Sequence, residues 1–453
     1  MRLVPRLAAL TVSSVAAAGL LVASPQPAWA GDDCENKPRD SVVADEVPDA
    51  NLWPQRLLKP ELVWPNATGE GVTVAVLDSG VQADHPLLDG KVDSGKAYID
   101  VESTDKDEQN LGDGATRDCV GHGTAVAGII AGSESPENGF HGMAPDARIL
   151  PIRIANTVPA DQDDANEDKD DNILVDQNDF AAAIDYAVSQ DVDVINMSLK
   201  FSVDHPVIAE AVAAAVDAGI VLVASAGNEG NIEEDPEAAT TPSYPAAYEG
   251  VIGVGAVNSH LVKTAESQWG PWVDVVAPGL EIGAPQHDGN FQIAFGGTSS
   301  AAAYVAGTAA LLVEMYPDWT PEEIAIQIMG TASSVAGATR SDQYGYGMVD
   351  PVRAATERLS GSEPEPVLSM DPPVLTEQQV QNQEFDAMAM RWATSAGVAA
   401  LAVFTAALLG VAALRRGKRA RWRIGRASRE DMIEPVDDGD PIALFQGIKG
   451  LKQ

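Results

Sequence analysis

Three short segments hold residue types that could work together: Ala75-Val76-Leu77-Asp78-Ser79-Gly80, Gly121-His122-Gly123-Thr124 and Gly297-Thr298-Ser299-Ser300-Ala301-Ala302. They supply a carboxylate, an imidazole and a hydroxyl. In that combination a hydroxyl attacks a carbonyl, an imidazole carries its proton, and a carboxylate orients the imidazole. Taken singly, each has an ordinary structural explanation: an Asp ending a strand, a His satisfied in a core, a Ser capping a helix. Only the set argues for acyl transfer.

Ser299 is the candidate nucleophile. Two glycines precede Thr298, and the small, apolar run Ser300 to Val313 suits a buried helix. A Ser at such an N-terminus lies beside free backbone N–H groups and the positive end of the helix dipole. Its own N–H can face an oxygen that becomes negative during attack. Ser300 is the rival hydroxyl, but Ser299 is the one that follows Gly-Thr at the turn. His122 is the candidate general base, held by a helix from Thr124, and Asp78 its orienting carboxylate. Asn228, in Ala224-Ser225-Ala226-Gly227-Asn228-Glu229-Gly230, offers a carboxamide donor for the same oxyanion. The alternative for Asn228 is a simple turn residue, which Gly-Asn commonly marks.

Such residues need a frame. Continuous apolar runs at Val72 to Leu77, Ile149 to Ile154, Val192 to Met197, Ile220 to Ala224 and Val251 to Val257 read as strands buried on both faces. Helical patterns alternate with them at Thr124 to Ala131, Phe180 to Ser189 and Val207 to Ala218. The alternation predicts an α/β fold with a central parallel sheet in three layers. In such sheets functional groups gather beyond the carboxyl ends of strands, where Asp78 falls.

The motifs Asp78-Ser79-Gly80, Gly121-His122-Gly123-Thr124, Asn228 in its glycine-rich turn and Gly297-Thr298-Ser299 together resemble the subtilisin-like serine peptidases. Further matching stretches are His141 to Ala147, Val194 to Leu199, Asp274 to Gly279 and Tyr344 to Val349, so the resemblance runs from about Val72 to Ala355. It implies a subtilisin-like three-layer fold and a serine endopeptidase working through an acyl-enzyme. It implies Asp78, His122 and Ser299 as the triad, with Asn228 and the Ser299 N–H forming the oxyanion hole. Ser198, Leu199 and Lys200 would line the substrate groove, where a peptide adds as an extended strand. No cofactor and no metal is expected.

The ends of the chain define an envelope. Arg2 and Arg6, the apolar stretch Leu7 to Ala23 and Ala28-Trp29-Ala30 read as a cleaved signal peptide over 1–30. The alternative is an N-terminal anchor, but the apolar run is short and the cleavage pattern good. Residues 393–414 carry no charge and, at about 1.5 Å per residue, span roughly 33 Å as a helix, enough for a bilayer core. Arg415, Arg416, Lys418, Arg419, Arg421, Arg423 and Arg426 follow, marking the cytoplasmic flank. The expected order is signal 1–30, an N-terminal extension 31–70, a peptidase domain 71–356, a Pro/Glu-rich stalk 357–392, one transmembrane helix 393–414 and a cytoplasmic tail 415–453. The peptidase then lies outside the cell membrane. The formal net charge of −38 argues against nucleic acid as a partner. Ala160 to Asp171 is a dense acidic insertion that reads as a solvated loop; the alternative is a calcium site, since carboxylates are hard oxygen ligands, although the spacing matches no named calcium loop.

The chain has two cysteines, Cys34 and Cys119. Outside the cytoplasm a lone pair is expected to be joined, which ties the mature N-terminus to the rim of the candidate site. The alternative is two free thiols. The chain-entropy model values a bridge closing the 34–119 loop at roughly 4–5 kcal/mol. A signal, a short extension with Trp53-Pro54-Gln55-Arg56-Leu57, a Cys before Gly-His-Gly-Thr and a C-terminal span resemble the mycosins, membrane-anchored subtilases of type VII secretion. That resemblance implies a peptide or protein substrate and the type VII secretion membrane complex as partner. It also leaves an alternative, a mainly structural component of that complex with dispensable catalysis. The extension is short for a folding propeptide and reads as a retained wrap. Three features depart from the family pattern: Ala303 in place of Pro, Lys200-Phe201 in place of Gly-Gly, and one cysteine pair in place of two.

Overall fold

Strand formation follows the apolar runs, and the burial of those runs shows why. In the computed structural model, β2 (Thr73–Asp78), β5 (Val194–Met197), β6 (Val221–Ser225) and β7 (Val251–Val257) are buried along almost their whole length. A strand buried on both faces needs cover on both faces, and parallel pairing with helical crossovers provides it. The structure describes residues 41–99, 114–155, 175–231, 238–335 and 340–359. The chain divides into two units, 1–370 and 371–453, and the described residues all belong to the first. The signal peptide, Cys34, the acidic insertion at 160–171, most of the stalk, the apolar segment 393–414 and the basic tail lie outside the described residues. Among the described residues no helix is long and apolar enough to cross a membrane.

The remaining elements, in chain order, are β1 (Ser41–Val42), α1 (Trp53–Leu58), β3 (Lys96–Ala97), α2 (His122–Ala131), β4 (Arg148–Arg153), α3 (Gln177–Ser189), α4 (Pro206–Asp217), β8 (Val275–Pro278), β9 (Ile282–Pro285), β10 (Phe291–Phe295), α5 (Thr298–Met315), α6 (Pro321–Gly330) and α7 (Pro351–Thr356). The main sheet runs β3-β4-β2-β5-β6-β7-β8 and is parallel throughout. Val74 of β2 pairs with Ile149 on one side and Val194 on the other. The chain therefore leaves β2 toward one edge and returns on its other side. That reversal is the topological switch point, where open α/β sheets form their clefts, and Asp78 ends β2 there.

α2 and α5 pack against one another; α2 lies on β2, and α5 on β5 to β8. α3 and α4 form a second helical pair. α5 is buried on all sides from Thr298 to Leu312. Its Ala-rich, nearly uniform composition suits a helix with no solvent face.

The N-terminal extension contributes more structure than its polar, proline-punctuated sequence suggests. β1 adds to the antiparallel β9–β10 hairpin, with Val42 opposite Phe291. Val47, Leu52, Leu87, Phe140 and Phe291 form a small apolar cluster beneath it. Asn51 Nδ2 and Trp53 Nε1 donate to the carbonyls of Glu281 and Leu280, at 3.0 and 3.2 Å. Leu58, Val63 and Ala67 join the main core, so residues 41–70 wrap the body as part of its packing.

Candidate active site

The site grows from three element ends that meet at the switch point. β2 delivers Asp78, 4% exposed, as its last residue. α2 starts at His122, with Gly121 before it at φ 86°. That left-handed conformation favours glycine, and a Cβ there would sit 1.9 Å from Gln286 Oε1. His122 Nδ1 and Asp78 Oδ1 lie 2.7 Å apart. With the carboxylate as acceptor, Nδ1 is the donor of this pair and Nε2 is the nitrogen left to exchange a proton with a substrate or nucleophile. The same Oδ1 accepts from Ser79 N at 2.7 Å. Phe295, at the end of β10, packs its ring against that of His122 at 5.4 Å and 61°.

Asp118 organises the turn that precedes α2, a role not visible in the sequence. It is fully buried. Its Oδ1 accepts from Ser79 Oγ, Val120 N and Gly121 N, at 2.9, 3.0 and 2.8 Å. Its Oδ2 accepts from Thr124 N and Thr124 Oγ1, at 2.9 and 2.7 Å. Ser79 Oγ in turn accepts from Gly123 N at 3.0 Å. One carboxylate thereby joins the residue after Asp78 to the backbone on both sides of His122.

Ser299 is the second residue of α5, which Thr298 opens after Gly297, whose φ is 92°. A Cβ on Gly297 would lie 3.1 Å from Asn228 Oδ1, so the turn and the carboxamide fit closely only without one. Asn228 Oδ1 accepts from Thr298 N and Thr298 Oγ1, both at 2.9 Å. This fixes the amide with its oxygen toward the helix and leaves Nδ2 as the donating end. Thr298 Oγ1 also accepts from Gly227 N at 3.2 Å. Ser299 Oγ is 3.3 Å from the carbonyl of Ser198, to which it donates. Ser300 Oγ is turned inward, donating to Gly297 O at 2.8 Å. Ala303 is buried within α5.

Of the residues expected to line a groove, Ser198 and Leu199 are buried, and Ser198 Oγ accepts from Asn196 Nδ2 at 2.8 Å. Lys200 forms an ion pair with Glu229, the residue after Asn228. Chemically, the arrangement offers a proton-accepting ring oriented by a buried carboxylate, a hydroxyl at the positive end of a helix, and a fixed amide donor beside it. That set suits attack on an amide or ester carbonyl.

Comparison with known proteins agrees in kind. Residues 69–347 match the model of the Subtilase family. Subtilisin E of Bacillus subtilis is 33% identical over 296 residues, covering 65% of this chain and 68% of that protein. Mycosin-1 of Mycobacterium tuberculosis is 34% identical over 351 residues, covering 68% and 74%. The crystal structure of MycP1 from the ESX-1 type VII secretion system is similar, with a TM-score of 0.56 at 29% identity. That match covers 69% of this chain and 87% of the other.

Proposed function

Because the chain belongs to the subtilase family of serine endopeptidases and has mycosins among its relatives, we propose that it is a membrane-anchored protease of a type VII secretion system. Asp78, His122 and Ser299 are its triad. The observation that carries this reading is the 2.7 Å contact between His122 Nδ1 and a buried Asp78; Ser299, near the start of the central helix, donates to the carbonyl of Ser198.

Ser299 Oγ attacks the substrate carbonyl while His122 Nε2 takes its proton. Asp78 holds the Nδ1 proton and stabilises the charged ring. The carbonyl oxygen, becoming negative, is met by Asn228 Nδ2 and Ser299 N. His122 returns its proton to the leaving amine, and water then releases the acyl group by the same steps in reverse. Ser198 to Lys200 form one wall of the groove.

The placement of the enzyme rests on the sequence envelope: signal 1–30, wrap 31–70, peptidase domain 71–356, stalk 357–392, span 393–414 and basic tail 415–453. The Cys34–Cys119 bridge is supported by Cys119 being disulfide-bonded and Cys34 being the only other cysteine. The alternative is a structural component with dispensable catalysis; the 2.7 Å contact of His122 Nδ1 with Asp78 and the position of Ser299 near the start of α5 support the catalytic reading over it. A comparison of exported proteins from cells carrying the wild-type chain or Ser299→Ala tests the proposal. A small set of N-termini should be present with the former and missing with the latter. Identical N-termini in both would remove the proteolytic role.

A further inference from the structure

β5 and β6 are adjacent and parallel, with Met197 opposite Ala224. The segments that leave them, Ser198–Phe201 and Ala226–Gly230, therefore start side by side. Each is tied to the turn that carries Ser299: Ser198 through its carbonyl, Asn228 through its side-chain oxygen. The gap between these segments adjoins Ser299 and Asn228, so an acyl group bonded to Ser299 with its oxygen at Asn228 would place its side chain at this gap.

Lys200 crosses that gap. Its Cδ lies 3.2 Å from where a Cβ on Gly227 would stand, and its ammonium pairs with Glu229 on the opposite segment. Neither wall is free to retreat. Gly227 is backed by Gln268, whose N donates to Gly227 O at 2.9 Å and whose Nε2 donates to Ala238 O and Thr241 O at 2.7 and 3.1 Å. On the other side, Phe201 exchanges backbone hydrogen bonds with Tyr244 at 2.7 and 2.9 Å and packs on Phe180 at 5.3 Å. Room for a substrate side chain must come from displacing the Lys200 side chain.

We propose that the Lys200–Glu229 pair is a bar across the recess beside Ser299 that restricts the residue on the acyl side of the cleaved bond to small side chains. This rests on the peptidase reading of Ser299. The Lys200 side chain is 18% exposed and that of Glu229 44%. An ion pair this open is weak, so the discrimination it gives is about tenfold, within the range that pocket size commonly delivers.

Diphenyl phosphonates bearing methyl, benzyl or aminobutyl on the α-carbon test this on the purified full-length chain. Ser299 Oγ bonds to phosphorus, one phenoxide leaves, and the serine proton passes through His122 to give phenol. In the wild type the methyl probe should react about tenfold faster than the other two. In Lys200→Gly the benzyl-to-methyl and aminobutyl-to-methyl rate ratios should each rise about tenfold, the latter because Glu229 is left unpaired. Adding Glu229→Gln should abolish the aminobutyl gain and keep the benzyl gain. Ratios within one variant cancel any change in its active fraction. Unchanged ratios in Lys200→Gly, or a wild type indifferent to probe size, would overturn the proposal. A fluorophosphonate without a side chain, run in parallel, separates the two failures. If it labels Ser299 while the ratios stay flat, only the bar is wrong. If nothing labels Ser299, the peptidase reading falls with it.

Discussion

At the scale of the residue, Asn228 shows how one side chain serves two ends. Its oxygen is spent on Thr298, which orients its nitrogen toward the space where charge develops on the substrate. A donor met only in the transition state changes kcat more than KM. Asn228→Ala should therefore lower kcat by about 10²–10³ with KM much less affected, measured on any peptide the wild type cleaves. A loss expressed mainly in KM would place Asn228 in ground-state binding instead. Asp78, His122, Asn228 and Ser299 could be singled out in the sequence because glycines at tight turns flank them. Asp118 could not, because an acidic residue is unremarkable in a chain with 67 of them. Glu229 was equally hidden. Its contact with Lys200 joins the ends of two different strands, and nothing local in either segment announces it.

At the scale of the element, the buried parallel strands were legible because their apolar runs are continuous. The β9–β10 hairpin was not. Its strands are short, carry Gly283 and Pro285, and are buried through Ile282, Ala284 and Phe295 in the main core and through Phe291 against the N-terminal extension. This region also holds a buried titrating group. His85 follows β2, its Nδ1 accepts from Leu87 N at 3.1 Å, and it lies near Asn290 and Asp288 of the hairpin turn. Burial, outweighing those neighbours, pushes its pKa down to about 4. Between about pH 6.5 and that value the unfolded chain binds a proton that the folded chain does not. Stability is therefore lost as the pH falls through this window, by about 3 kcal/mol in all. Asp274 acts in the opposite sense. Burial holds its carboxyl up to about 6, so stability is lost as the pH rises toward 6. The whole-chain curve is the sum of both, and a variant isolates one. Asn can keep the acceptor for Leu87 N without titrating. The Tm difference between His85→Asn and the wild type should shift in the variant's favour as the pH falls from 6.5 to 4. A difference constant across that range would contradict the assignment.

At the scale of the whole molecule, the site depends on residues far apart in the chain, delivered by one strand end and two helix starts around a single switch point. The sheet order could not be read from the sequence, since alternating strands and helices do not say on which side of β2 each later strand returns. The extension was expected to be a retained wrap, but its polar, proline-punctuated sequence did not show that residues 41–70 would enter both the hairpin sheet and the main core. The central claim is that Asp78, His122 and Ser299 act as one unit. The most direct measurement is fluorophosphonate labelling of the purified full-length chain, with the adduct mapped by mass spectrometry in the wild type and in His122→Ala. The account predicts an adduct on Ser299 whose formation slows by at least about 10³-fold without the imidazole. An adduct on Ser300 or elsewhere, or labelling of Ser299 at the same rate in His122→Ala, would contradict it.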